Sequence, residues 1–133
     1  MAQHGVHVGG IDLSPEMARI AGGLNPTMPF AVADLRSLPV RDEYLGGSTA
    51  FYSLIHLPRP ELPHAFGELR RVLQDGAPLL VAVHAGVGDL HTDEFLGHRV
   101  NLDVTLHERD ELAALREDHD FRIERLDQRP PYP

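Results

Sequence analysis

Cysteine is absent from the 133-residue chain, so disulfide bonds, thiolate metal sites and a cysteine nucleophile are excluded. Positive charge is scarce: 12 basic residues stand against 20 acidic ones, giving a formal net charge of -8. This balance argues against nucleic acid or an anionic membrane surface as a partner. Apolar runs long enough to span a bilayer are missing, as is a signal-peptide pattern at the N-terminus. We therefore expect a cytoplasmic protein.

The length and composition are those of one compact domain. A chain of 133 residues that is 42% hydrophobic can bury a real core but is too short for two ordinary domains. We therefore predict a single domain over residues 1–133.

The beginning of the chain predicts two strands that each end near an aspartate. The β-branched residues of segment 5–11 predict a strand before Asp12. Ser14 and Pro15 then mark the start of a helix. A second strand is predicted over residues 28–35, which places Asp34 near its end.

The remainder alternates between strand and helix patterns. The segments 49–57 and 78–86 are almost entirely apolar, which is typical of strands buried on both faces. Residues 88–99 form a polar segment, which we interpret as a loop. This order predicts an α/β fold with a mainly parallel sheet and an antiparallel C-terminal edge. The other predicted elements are helices over 62–76 and 109–117 and strands over 100–106 and 121–126.

The carboxyl ends of parallel strands are where open α/β sheets bind their ligands. Here those ends carry Asp12, Asp34, residues 52–56 and His84. An acid just past a strand can accept hydrogen bonds from two ribose hydroxyls, and a second acid can accept one from the amine of a base. The alternative is that Asp12 only caps the helix and Asp34 only ends a strand.

Five segments carry a resemblance to a known family: "GVHVGGIDLSPEM", "AVADLRSLPV", "FYSLIHLP", "ELRRVLQDGAPLLVAVH" and "RPPYP". In order and spacing the chain resembles the class I S-adenosylmethionine-dependent methyltransferases, in particular the small bacterial methyltransferase-domain type. The resemblance implies a Rossmann-like methyltransferase sheet, S-adenosyl-L-methionine as cofactor and a small-molecule methyl acceptor.

The resemblance also implies roles for residues of the first two strands and the helix between them. Asp12 would bind the ribose hydroxyls, while Leu13 and Met17 would pack near the adenine and ribose. Asp34, together with the backbone of Leu35, would recognise the adenine amine.

Further along the chain, the resemblance implies a methionine end and a substrate mouth. Tyr52 and Ser53 would line the methionine end of the cofactor and the substrate mouth, and His56 is the candidate acid or base. An imidazole suits that task when the acceptor is a hydroxyl or an acidic carbon. The residues expected to shape the substrate mouth are His91, Asp93, His98 and Arg129.

One part of the family pattern has no counterpart in the chain. The first strand and the glycine-rich turn that hold the methionine portion of the cofactor would precede the segment 5–11. We therefore expect a methyltransferase domain that lacks its first central strand, through an N-terminally truncated start or a gene fragment. Alternatively, the flanking strands pair directly, or a second copy supplies a strand and forms a homodimer through the exposed central edge. A catalytically inactive binding module is the corresponding alternative for the function.

The histidines of segment 84–98 suggest a different class of function. His84, His91 and His98 occur with Asp89, Asp93 and Glu94, which are ligand types for a metal-assisted hydrolase. Their spacing matches no standard zinc signature, so a loop over the substrate mouth is favoured and no metal is assigned.

Overall fold

The computed structural model describes residues 5–130 of the chain. The chain divides into two compact units, Met1–Val40 and Arg41–Pro133. The first unit contains strand β1 (Gly10–Asp12), helix α1 (Pro15–Leu24) and strand β2 (Phe30–Val32). In the second unit the elements are β3 (Ser48–Phe51), two short 3-10 helices (Leu54–His56 and Arg59–Glu61), α2 (Leu62–Val72), β4 (Leu79–Ala82), β5 (Asp89–Phe95), β6 (His98–Thr105) and α3 (Arg109–Asp118).

The first unit is a strand, helix and strand whose two strands pair in parallel. Gly10 lies opposite Phe30 and Asp12 opposite Val32. Ser14 caps α1, because its side-chain oxygen accepts a hydrogen bond from the backbone N–H of Met17 at 3.3 Å. Strand pairing extends over three residues only, so both strands are shorter than the sequence predicts.

The second unit repeats this arrangement and adds a hairpin. Strands β3 and β4 pair in parallel from Ser48 opposite Leu79 to Phe51 opposite Ala82, with α2 in the connection between them. Strands β5 and β6 form an antiparallel ladder. The two parallel pairs and the C-terminal antiparallel pair confirm the predicted α/β class.

The core of the second unit is built around α2 and the first 3-10 helix. Apolar side chains at helical spacing on α2 face inward, as the sequence predicts. The buried residues of this core include Leu54, Ile55, Leu62, Ala65, Phe66, Leu69, Val72 and Leu73.

The prediction that the apolar strands are buried on both faces is wrong for the described residues. Phe51 is 56% exposed and Leu80 is 52% exposed. Within residues 5–130, β3 is hydrogen-bonded to β4 alone and β1 to β2 alone. With one neighbour each, these strands have too few packing partners to bury both faces.

Two segments near the C-terminus also differ from the sequence-based prediction. Residues 88–99, predicted as a loop, contain β5 and the turn into β6, whereas residues 121–126 form no strand. In the hairpin turn, Leu96 and Gly97 both have positive φ, 51° and 79°. Positive φ at both central residues is the geometry that suits a two-residue hairpin. The sequence of β5 contains no run of β-branched residues that would predict a strand. The segment is a strand because it pairs with β6.

None of the helices in the described part of the chain is long and apolar enough to cross a membrane. The cytoplasmic location stays a prediction.

Candidate functional site

Asp12 in the first unit has one oxygen engaged locally and one available. Its Oδ1 accepts a hydrogen bond from the backbone N–H of Ser14 at 2.8 Å, which turns the chain from β1 into α1. Its backbone carbonyl accepts from Ala33 N at 3.0 Å, which holds the ends of β1 and β2 together. Oδ2 has no hydrogen-bond partner among residues 5–130. The carboxylate therefore caps the turn and can still accept hydrogen bonds from a ligand.

Two apolar side chains beside Asp12 are exposed to solvent. Leu13 is 65% exposed and Met17, in the first turn of α1, is 55% exposed. Exposed apolar side chains next to a carboxylate acceptor are the surface that a nucleoside requires, with an apolar ring and a polar sugar. These are the residues predicted from the sequence for the adenosine part of S-adenosylmethionine.

Asp34 already has a charged partner. Arg36 donates to its carboxylate through Nε to Oδ1 at 2.9 Å and through Nη2 to Oδ2 at 2.6 Å. The backbone N–H of Arg36 also donates to Oδ1 at 2.8 Å. An adenine amine must share this carboxylate with the guanidinium. The backbone N–H of the neighbouring Leu35 has no hydrogen-bond partner in the described range and is an open donor for a base.

The second unit contains an apolar cavity of about 350 Å³. It lies where the carboxyl ends of β3 and β4 meet the first 3-10 helix and the β5–β6 hairpin. A volume of this size suits a small organic molecule. Its lining residues are Tyr52, Ile55, His56, His84, Phe95, Leu102 and Val104.

Tyr52 lines this cavity in an unusual backbone conformation. Its φ is 51°, in the left-handed region that non-glycine residues rarely adopt. Its N–H donates to Ala82 O at 2.9 Å, and its ring stacks on that of His84, with 4.8 Å between ring centroids and 30° between ring planes. Strained residues of this kind cluster at functional sites.

His56 presents one ring nitrogen for chemistry. Its Nδ1 lies 3.2 Å from the backbone carbonyl of Asp103. Because a carbonyl oxygen can only accept, Nδ1 carries the hydrogen and Nε2 carries the lone pair. Nε2 is therefore the atom that can take a proton. Ser53, in contrast, does not line the cavity.

The residues predicted for the substrate mouth do not form one group. His91 lies between two carboxylates, with Nδ1 2.7 Å from Asp103 Oδ1 and Nε2 3.0 Å from Asp93 Oδ1. These hydrogen bonds, that of Asp103 first, raise the pKa of His91 above its ordinary value. His98 lies opposite Phe95 at the turn of the hairpin, five residues or about 16 Å along β6 from Asp103. Arg129 is exposed in the segment that follows α3.

The histidines suggested for a metal-assisted hydrolase are also separated. His84 stacks on Tyr52, His91 pairs with Asp93, and His98 is at the hairpin turn. Across residues 5–130 there is no group of three or more His, Asp or Glu side chains that could hold a metal ion.

Arg59, which the sequence analysis did not identify, connects three elements of the second unit. Arg59 lies in the second 3-10 helix, and its Nη1 pairs with Asp89 at 2.8 Å at the start of β5. Its Nε pairs with Glu111 of α3 at 3.1 Å, and its Nη2 donates to the carbonyl of Leu106. Arg59 therefore fixes the base of the hairpin, and with it the wall of the cavity. Because the partners lie 30 and more positions away, no local sequence signal marks this role.

His107, next to this network, is 1% exposed, and neither ring nitrogen has a hydrogen-bond partner within the described residues. Burial, the largest effect, lowers the pKa of His107 below its ordinary value of 6.5, although Glu111 opposes the shift. The folded protein therefore binds fewer protons at this site than the unfolded chain does. Stability at this site is present above pH 6.5 and is lost as the pH falls toward the folded-state pKa.

We expect His107→Leu to reduce the loss of stability on acidification. The leucine has a similar volume, does not titrate and removes two buried ring nitrogens. The measurement is the free energy of unfolding in urea between about pH 5 and pH 8. The comparison variant is His91→Asn, because the raised pKa of His91 gives the opposite dependence, with stability lost as the pH rises. If the free energy of unfolding of His107→Leu falls as steeply on acidification as that of the wild type, the prediction is wrong.

Solved structures with the same fold include S-adenosylmethionine-dependent methyltransferases. One from Methanosarcina mazei is 18% identical, with a TM-score of 0.76, 84% of this chain covered and 68% of that chain covered. One from Mesorhizobium loti is 16% identical, with a TM-score of 0.73 and coverages of 93% and 68%. The putative methyltransferase in a complex with the Haloferax volcanii Trm112 methyltransferase activator is 26% identical, with a TM-score of 0.66 and coverages of 84% and 48%.

The chain thus has the fold of the class I methyltransferases. A family model described as "Methyltransferase domain" matches residues 1–76, and the chain belongs to this family. The chain spans between 43% and 68% of the length of eight solved structures with this fold. No curated protein sequence matches it.

Proposed function

We propose that this chain binds S-adenosylmethionine and acts in methyl transfer to a small-molecule acceptor. The observation that carries the acceptor class is the apolar cavity of about 350 Å³ in the second unit, with His56 in its wall. A cavity of this volume suits a small molecule better than a protein or nucleic-acid chain. A structural relative with a TM-score of 0.65, from Burkholderia thailandensis, is a 1,6-didemethyltoxoflavin-N1-methyltransferase with that compound and S-adenosylhomocysteine bound, which supports an acceptor of this size.

The first unit supplies the adenosine site in this proposal. Asp12 accepts hydrogen bonds from the ribose hydroxyls through its open oxygen, and the exposed side chains of Leu13 and Met17 pack on the adenine and ribose. Leu35 donates its backbone N–H to the base. Asp34 accepts from the adenine amine alongside Arg36, which already neutralises its charge.

The second unit supplies the groups around the acceptor. Bound S-adenosylmethionine provides a methyl group on a sulfonium, whose bonding electrons stay on sulfur when the methyl leaves, so the acceptor needs only a lone pair. When that acceptor is a hydroxyl or a ring N–H, it must also lose a proton. His56 Nε2 takes this proton, because Nδ1 is held as a donor by Asp103 O. Tyr52 and Ser53 are assigned to the methionine end of the cofactor, and His91, Asp93, His98 and Arg129 to the surroundings of the acceptor.

Calorimetric titration with S-adenosylhomocysteine tests the cofactor assignment directly. We expect one site per chain with a dissociation constant in the micromolar range, which corresponds to about 8 kcal/mol of binding free energy. Adenosine alone should bind more weakly but compete for the same site. A folded chain that binds neither compound would contradict the proposal and leave the alternative of a catalytically inactive binding module.

The oligomeric state belongs to the same proposal. Among residues 5–130, β1 and β3 each have one hydrogen-bonded neighbour, so each leaves one edge to which a strand can add. We propose that residues 1–133 act as one partial methyltransferase domain that pairs with a second copy through these edges. Light scattering before the titration distinguishes a monomer from a homodimer.

A further inference from the structure

The cavity of the second unit has a chemical character that goes beyond its size. Of its seven lining residues, Ile55, Leu102 and Val104 are aliphatic, and the other four carry flat rings. None of the seven is a carboxylate, a guanidinium or an ammonium group. A charged acceptor entering this cavity would lose its hydration and gain no ion pair.

Two charged residues close in sequence to the lining residues have partners elsewhere. Asp103 lies between Leu102 and Val104 on β6, and because side chains alternate along a strand it belongs to the opposite face, where it pairs with His91 at 2.7 Å. Arg59 is paired with Asp89 and Glu111. The lining therefore contains no carboxylate, guanidinium or ammonium group, although the chain carries a net charge of -8.

The four rings favour a flat ligand. Tyr52 and His84 are stacked on each other and both line the cavity, while Phe95 reaches it from the hairpin and is 55% exposed. Aromatic rings interact with one another more strongly than their buried area alone accounts for. A saturated molecule of the same size buries a similar apolar area but does not gain the interaction between aromatic rings.

Two imidazole side chains determine where a bound ligand can form hydrogen bonds. His56 offers the lone pair of Nε2. The ring nitrogens of His84 have no hydrogen-bond partner within the described part of the chain. A ligand with one O–H or ring N–H can satisfy these nitrogens, whereas a hydrocarbon cannot.

We propose that the acceptor is an uncharged aromatic molecule carrying one hydroxyl or ring N–H, stacked among Tyr52, His84 and Phe95 with its acidic proton directed at an imidazole. This inference rests on the proposed function, because it takes the ligand of the cavity to be the methyl acceptor. The binding preference itself concerns the second unit alone and is measured without cofactor.

The test is a binding titration with three matched probes: 2-naphthol, its saturated counterpart decahydro-2-naphthol, and the anion 2-naphthoate. The chain contains no tryptophan, so the fluorescence of 2-naphthol is measured against a low background, and the other two probes are measured by competition. Near neutral pH 2-naphthol is uncharged, as phenols are below a pKa of about 10. We expect 2-naphthol to bind at least about tenfold more tightly than either competitor.

Two variants test whether 2-naphthol binds in this cavity. Phe95→Ser removes one ring of the lining and should weaken 2-naphthol binding about fivefold or more. Val87→Ser is the matched control, since Val87 lies before β5, is 76% exposed and does not line the cavity. Its affinity should stay within about twofold of the wild type. Thermal unfolding of both variants establishes that they are folded.

The outcomes separate this inference from the proposed function. Equal binding of the three probes, tighter binding of 2-naphthoate, equal effects of the two variants, or no binding by the folded chain each overturns it. Selective 2-naphthol binding supports it even if S-adenosylhomocysteine does not bind, in which case the proposed function fails alone. Binding of S-adenosylhomocysteine without 2-naphthol overturns the acceptor class and leaves the proposed function standing.

Discussion

Asp12→Asn is expected to weaken the binding of S-adenosylhomocysteine about 10- to 100-fold. The substitution keeps an oxygen that can accept the hydrogen bond from Ser14 N, so the turn between β1 and α1 is retained. It removes the negative charge and replaces the open oxygen that is offered to the ribose hydroxyls with an amide NH2 group, which cannot accept. Hydrogen bonds to a charged group contribute about 1.5–3 kcal/mol, which gives the stated range. Isothermal titration calorimetry at fixed pH and salt measures it.

Asp118→Asn is the control for this measurement. Asp118 is the last residue of α3, is exposed and lies in the other unit, and its substitution changes the net charge by the same amount. We expect its affinity for S-adenosylhomocysteine to match that of the wild type. If Asp12→Asn binds as tightly as Asp118→Asn, the carboxylate of Asp12 only caps the helix, and the adenosine site lies elsewhere.

The largest effect on stability is expected from Leu54→Ala. Leu54 is fully buried at 0% exposure in the first 3-10 helix. Removing a buried leucine side chain costs about 2–5 kcal/mol, because apolar contacts are lost and a cavity remains. This is a large fraction of the total stability of an ordinary domain. Urea unfolding followed by circular dichroism measures the loss.

The effect of Leu54→Ala should also reach the acceptor cavity, because the same short helix carries Ile55 and His56. The control is Leu80→Ala on β4, which is 52% exposed and should cost less than about 1 kcal/mol. Equal losses of unfolding free energy in the two variants would show that Leu54 is not part of the core that supports the cavity.

The proposed adenosine site could be derived from the sequence because its residues are close together along the chain. Asp12, Ser14 and Pro15 combine a strand end with a helix start, and each of these signals is local. The same holds for Asp34 and Leu35 after the second strand. The pairing of Asp34 with Arg36 is also local, but the spacing D-x-R alone does not distinguish an ion pair from an exposed acid and base.

The acceptor cavity could be predicted only in part. The positions of Tyr52 and His56 follow from the end of a strand, and both line the cavity. Phe95 was missed because its segment, 88–99, reads as polar, and β5 exists only through pairing with β6. Leu102 and Val104 lie in the strand predicted over 100–106, but no local signal placed that strand beside Tyr52. His91, Asp93 and His98 were grouped by their closeness in sequence, whereas the extended hairpin separates His98 from the other two.

By itself the sequence determined the α/β class, the order of the helices and strands through residue 86, and the two acids that follow the first two strands. These features depend on periodicity, capping and composition within a few neighbouring residues. Only the tertiary structure decided that Arg59 fixes the hairpin to α3, that His107 is buried with no hydrogen-bond partner among residues 5–130, and that Phe95 lines one cavity with Tyr52 and His84. Arg59 lies 30 positions before Asp89, and only long-range packing, which no local pattern encodes, brings such residues together.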